Sequence, residues 1–203
     1  MNLFFKIGCV ATLLFSAIGL GATPRAEYPR PQFERADWQN LNGEWTYQLD
    51  LGKSGMNRHL YESKGFDDKI TVPFCAESKL SGVEHKDFIP AMWYHRQIQI
   101  PESWQGKRTM LNFGGVDFFT GVYLDGKLVA RHWGGNSPFS CDITEYVKDG
   151  KPHDLVVRVE DDLRSSTQPS GKQCKNYFSS GPNYTRTTGI WQTVWMEPVS
   201  VSY

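Results

Sequence analysis

The sequence predicts an all-β fold, a jelly-roll β-sandwich, and three observations carry the prediction. Apolar residues recur with a period of two in short runs, the spacing that turns alternate side chains to one face of a strand. No window sustains a helical period over about ten positions, and no internal repeat is visible. Gly, Pro and Asp punctuate the runs, as they do between the strands of sandwiches and jelly rolls.

The runs follow in order. Glu44 to Asp50 (EWTYQLD), Ile70 to Phe74 (ITVPF), Trp93 to Ile100 (WYHRQIQI) and Thr109 to Phe113 (TMLNF) each read as a strand. Asp125-Gly126 stands between Val122-Tyr123-Leu124 and Leu128-Val129. Asp-Gly supplies the positive φ angles of a two-residue hairpin turn, so this pair predicts a tight hairpin. Leu155, Val157 and Val159 alternate with Val156, Arg158 and Glu160, the pattern of a half-buried strand. Gly114-Gly115 and Gly134-Gly135 mark further turns or bulges. Residues 189–203 (GIWQTVWMEPVSVSY) alternate to the final residue, so the chain is expected to stop in or at the edge of a strand.

Composition narrows the partners. The chain has 203 residues, with 22 Lys+Arg against 22 Asp+Glu, a net charge of zero. Nucleic acids and anionic membranes select basic surfaces, so neither is expected as a partner. Hydrophobic residues make up 39% and aromatics 14%, enough to bury a core. Aromatics favour strands and also suit carbohydrate, whose apolar ring face stacks on them.

The N-terminus carries a targeting pattern. Lys6 precedes an apolar run from Ile7 to Leu20, and small residues Gly19, Gly21 and Ala22 follow. The run is short for a membrane span and reads as a signal peptide over residues 1–22. The mature protein is therefore expected to be exported, periplasmic or extracellular. Pro24, Pro29 and Pro31 hold residues 23–37 extended, as a linker or a strap over the domain. Residues 38–203 form the domain itself. Without the leader, Cys75, Cys141 and Cys174 remain, an odd number in an oxidising compartment, so at least one thiol stays free or pairs outside the chain. Cys141 reads as a small buried hydrophobe.

Catalytic signals are missing. Glycoside hydrolysis uses two facing carboxyl groups on a rigid scaffold, commonly a (β/α)₈ barrel of about 250 residues, more than this chain holds. There is no Gly-x-Ser-x-Gly, no phosphate loop and no zinc-type Cys or His spacing. Glu160-Asp161-Asp162 lacks the spaced ligands of a calcium loop and reads as a solvated turn. No metal, no cofactor and no catalytic residue is expected. Asn183-Tyr184-Thr185 fits the N-glycosylation triplet, a pattern that chance also produces.

Several segments together resemble the N-terminal, sugar-binding domain of glycoside hydrolase family 2, the group of β-galactosidases, β-glucuronidases and β-mannosidases. Leu41-Asn42-Gly43-Glu44-Trp45 resembles its opening L-N-G-x-W strand, Ile70 to Phe74 its V-P segment, and Trp93-Tyr94-His95-Arg96 its W-Y-x-R strand. Val116-Asp117 and Val122 to Lys127 resemble its G-V-D hairpin, and Pro138 to Thr144 its P-F-x-x-D-I-T turn. Arg186 to Gln192 resembles the closing R-x-x-G-I-x-R, with Gln192 in place of the last arginine.

The resemblance implies a galactose-binding-like jelly roll followed, in family members, by an immunoglobulin-like domain and a catalytic barrel. The chain would then be inactive alone, a fragment whose partners are carbohydrate and the missing C-terminal domains. In β-galactosidases and β-glucuronidases of the family, an acid six residues before the closing G-I reaches the active site; here Asn183 stands at that position. Asn183, Tyr184, Arg186 and Asp117 are the sugar-facing candidates. Each has a plainer reading: loop chemistry for Asn183, core packing for Tyr184 and for Trp191, loop ordering for Arg186, turn capping for Asp117. A stand-alone periplasmic carbohydrate-binding module is the alternative, and a packing surface for the rest of an enzyme is a third reading.

Overall fold

A computed structural model of the chain describes residues 22–148 and 150–202; the expected leader, apart from Ala22, lies outside them. The alternating runs become strands. β1 (Gln39–Asn40), β2 (Gly43–Leu49), β3 (Asp68–Val72) and β4 (Ala91–Ile98) come first. β5 (Arg108–Phe113), β6 (Val116–Asp117), β7 (Phe119–Leu124) and β8 (Lys127–Trp133) follow. β9 (Phe139–Asp142), β10 (His153–Glu160), β11 (Gly189–Ile190) and β12 (Val194–Val199) complete the series. Every strand pairing is antiparallel, and the only helices among the described residues are three-residue 3₁₀ turns.

The strands form a six-stranded sheet, in the order β3-β2-β4-β10-β7-β8, and a four-stranded sheet, β1-β12-β5-β9. The short pair β6–β11 lies apart from both. Leu155, Val157 and Val159 of β10 share one buried cluster with Met92 and Tyr94 of β4 and with Leu111, Phe113 and Met196 of the other sheet. Each such side chain removed from water contributes roughly 1.5–3 kcal/mol, which makes this layer the main source of stability. Phe113 stacks on Phe139 at 4.7 Å, tying the β9 edge to the core.

Two outer faces that the alternation leaves polar are covered. Val156 was expected on the solvent side of β10. It is buried with Trp93 and Tyr123 beneath Met56, Leu60, Tyr61 and Phe66, so the segment after β2 folds back over the sheet. Asp50 fixes that segment: its carboxylate accepts from Ser54 N at 2.9 Å, Gly55 N at 2.8 Å and Trp93 Nε1 at 3.0 Å.

All six residues of β12 are buried, because residues 24–38 cover its outer side. Tyr28 Oη donates to Glu197 Oε2 at 2.7 Å, Arg35 Nε donates to Oε1 at 3.2 Å, and Tyr28 meets the edges of Trp38 and Trp195. Burial first, then Glu197, pushes the Tyr28 hydroxyl up to about 12. The expected strand to the last residue is shorter: β12 ends at Val199, and residues 201 and 202 turn.

The Asp125-Gly126 hairpin forms as expected, with φ of 47° and 79° at the two residues. Gly126→Ala is expected to cost about 1–2 kcal/mol, from backbone strain at positive φ and the approach of a new Cβ to Glu62 Cγ at 3.0 Å, as read by urea unfolding. Cys75, Cys141 and Cys174 are all free thiols; Cys141 is buried, and burial pushes its thiol up to about 12.

Candidate functional site

The β6–β11 pair closes one end of the sandwich, and the segment from Asp161 to Thr188 connects β10 to it. The segment is fastened at its far end by Gly189, whose φ is +86° and where a Cβ would come within 1.9 Å of Tyr94 Oη. Only glycine fits such a position. Next to it, the Ile190 N–H donates to Tyr94 Oη at 3.2 Å.

Arg186 shapes the segment from within. It is 3% exposed, and its guanidinium lies 4.4 Å from the centre of the Phe88 ring. It donates to the carbonyl oxygens of Cys174 at 3.3 Å, Asn176 at 2.6 Å and Tyr177 at 3.2 Å, and also to that of Lys86. A planar fork of five N–H donors suits this task, gathering one turn of chain and pinning it to the 86–88 segment. Two backbone bonds close the same lobe, Cys174 N to Tyr184 O and Tyr184 N to Lys172 O, both 2.8 Å.

Three buried carboxyls lie at the base of the lobe. Glu77 accepts from Thr188 N with both oxygens at 3.1 Å. Asp161 accepts from Thr188 Oγ1 at 2.8 Å and Gln168 Nε2 at 2.7 Å. Asp117 accepts from Gln173 Nε2 at 2.6 Å, while Gln173 Oε1 accepts from Thr187 N at 2.8 Å. Burial lifts all three above the usual carboxylate range. Asp117, which also feels the charges of Asp161 and Glu77, reaches about 7.

The four sequence candidates therefore divide into two pairs. Tyr184 is 65% exposed and Asn183 half-buried, both on the outside of the lobe near the exposed Tyr177 and Phe178. Arg186 and Asp117 are buried beneath it and bond to protein groups. Asp117 caps no turn of its own; its carboxyl meets Gln173 and packs against Gly135, where a Cβ would come within 2.4 Å of it. Trp191 is half-buried, and its Nε1 donates to Gly135 O at 2.7 Å. Glu160-Asp161-Asp162 is not a solvated turn throughout, because Asp161 is 5% exposed and Glu160 partly buried, while Asp162 is exposed. Sequence reasoning missed Glu77 and Gln173, which carry no motif and act by reaching across more than fifty residues of chain. Among the described residues no group of three His, Cys, Asp or Glu side chains is placed to hold a metal ion.

Two antiparallel sheets face to face, with a lobe fastened over one end, define a jelly-roll β-sandwich. The sequence model of "Glycosyl hydrolases family 2, sugar binding domain" matches residues 38–196, and the chain belongs to that family. It is 27% identical over 194 residues to a β-glucuronidase of Felis catus, an alignment covering 84% of this chain and 29% of the relative. It is 30% identical over 114 residues to a β-galactosidase of Thermoanaerobacter pseudethanolicus, covering 56% and 14%. Among solved structures, a β-glucuronidase from an uncultured Clostridium superposes with a TM-score of 0.67 at 23% identity, over 83% of this chain and 30% of that one. A Ruminococcus gnavus β-glucuronidase gives 0.66 at 22%, over 85% and 30%. The chain thus spans less than a third of the length of these relatives.

Proposed function

We propose that this chain serves as the non-catalytic, N-terminal sandwich of an exported family 2 glycosidase acting on β-linked sugars, β-glucuronides first among them. The observation that carries the reading is the lobe at residues 172–186. Arg186 and the carboxyls beneath it are engaged in holding shape, while Asn183 and Tyr184 face outward on a rigid support. A loop so braced can lend a polar contact to a neighbouring active site at little ordering cost. The family membership and the β-glucuronidase relatives support the sugar class. The leader-like residues 1–22 support export.

The test fuses this chain to the immunoglobulin-like domain and barrel that family members carry after this domain and assays p-nitrophenyl β-D-glucuronide and β-D-galactoside. The joined protein is expected to hydrolyse one of them and the chain alone neither. Asn183→Ala is expected to lower kcat/KM roughly tenfold with an unchanged melting temperature, the size of one lost polar contact in the transition state. A barrel that is fully active without this chain, or hydrolysis by the chain alone, would remove the proposal.

A further inference from the structure

A second feature lies at the β8 edge of the six-stranded sheet: a cleft of about 410 Å³, within the range of small-molecule sites. Trp133, the last residue of β8, forms one wall and is 61% exposed. Phe119 props it from behind, with ring centres 5.1 Å apart and planes inclined at 57°. Large exposed aromatics are costly to leave in water, and this one is held in place rather than left loose.

The other walls are polar and equally fixed. The Arg158 guanidinium lies 5.5 Å from the centre of the Phe119 ring and 5.8 Å from that of Trp93. Arg158 also pairs with Glu160 Oε1, and Lys53 Nζ lies 3.7 Å from Glu160 Oε2. Gln168 is held at both ends, donating to Asp161 at 2.7 Å and accepting from Asp162 N at 3.0 Å. Planar guanidinium, carboxylate and amide groups form paired hydrogen bonds, the pattern that vicinal hydroxyls complete. A pyranose offers both surfaces needed here, an apolar C–H face for the indole and a hydroxyl edge for the polar wall.

Charge decides which pyranose. The two cations share Glu160, and Asp162 adds a further negative charge to the rim. With two cations and two carboxylates the rim carries no net charge, so a carboxylate ligand would lose its hydration without net attraction, a cost that a neutral sugar does not meet. From these residues we infer that the cleft bounded by Trp133, Arg158, Glu160 and Gln168 binds a neutral saccharide, its ring stacked on Trp133. This inference stands on the cleft residues and does not depend on the glycosidase reading.

The test titrates the full ¹⁵N-labelled chain with lactose, cellobiose and methyl β-D-glucuronide. At least one neutral disaccharide is expected to bind with a Kd of about 1 mM, shifting the Trp133 indole and Gln168 side-chain amide signals. Trp133→Ala is expected to weaken binding tenfold or more with an unchanged circular dichroism melt, and Trp133→Phe to retain part of it. Tyr184→Ala, in the lobe, is expected to leave binding unchanged. No shifts at about 20 mM of either disaccharide would overturn the inference. So would full affinity in Trp133→Ala, equal loss in Tyr184→Ala, or tighter binding of the glucuronide than of either disaccharide.

Discussion

Arg186→Met is expected to release the 172–186 lobe while leaving the sandwich folded. The substitution strips donors from the carbonyls of Cys174, Asn176, Tyr177 and Lys86, which lie in a part-buried setting. Hydrogen bonds to a charged group contribute about 1.5–3 kcal/mol each, so the lobe should lose at least about 3 kcal/mol of local stability. The remaining ties are the two 2.8 Å backbone bonds of Cys174 and Tyr184, the Gln173 bonds to Asp117 and Thr187, and the Cys174 Sγ bond to Phe178 O. The loss should appear as a fall of about a hundredfold in the hydrogen-exchange protection of the Cys174 and Tyr184 amides, with β4 and β10 amides unchanged. Trypsin should cut faster after the exposed Lys172 and Lys175. Arg186→Lys should rescue little, because one ammonium cannot span four carbonyls. Unchanged protection in Arg186→Met would show that the lobe is held by something else.

The strands were legible because each is local: Ile70, Val72, Leu155, Val157 and Val159 alternate in sequence and share the core in space. The Asp125-Gly126 turn was legible for the same reason, since positive φ at two adjacent residues leaves few amino-acid choices. Where the alternation misled, a distant segment had covered the outer face. Val156 gave no sign that residues 56–66 lie on it, nor Trp195 and Glu197 that Tyr28 and Arg35 do. A pattern of two describes which way a side chain points and says nothing of what meets it there.

The family-like motifs were readable as strings, but their reasons lie between strings. Arg96 of the W-Y-H-R strand donates to Leu41 O at 2.8 Å and Asn42 O at 3.0 Å, so it holds the L-N-G segment. Tyr94 of the same strand meets Gly189 of the closing segment, and the G-V-D residue Asp117 sits opposite Gly189 in the β6–β11 register. Arginine, glycine and aspartate in these motifs thus answer one another across the sandwich. For Arg186 and Asp117 this moves the weight from sugar contact to support. Asn183, half-buried, and Tyr184, exposed, remain at the surface of the lobe.

Asp117→Asn is expected to stabilise the domain above neutral pH and to do almost nothing in acid. The carboxyl is 6% exposed, faces the buried Asp161 and Glu77, and accepts a bond from the neutral Gln173. Burial, then those neighbouring charges, raises it from 3.8 to about 7. Below about pH 4 the group is protonated in both the folded and the unfolded chain and contributes no pH dependence. Between about 4 and 7 the unfolded chain releases its proton while the folded chain keeps it, so stability falls as pH rises and levels off beyond 7. The full shift corresponds to roughly 4 kcal/mol, reduced by relaxation of Gln173 and by changes in Asp161 and Glu77, so a gain of about 2–3 kcal/mol at pH 8 is expected. An amide keeps an oxygen for Gln173 and removes the charge. Urea unfolding of both proteins at pH 4 and pH 8 checks this, and a stabilisation of equal size at the two pH values would exclude the charge as its cause. The motif aspartate is then a group that the fold keeps at a cost in stability, and the cost is borne where β6 meets the base of the lobe.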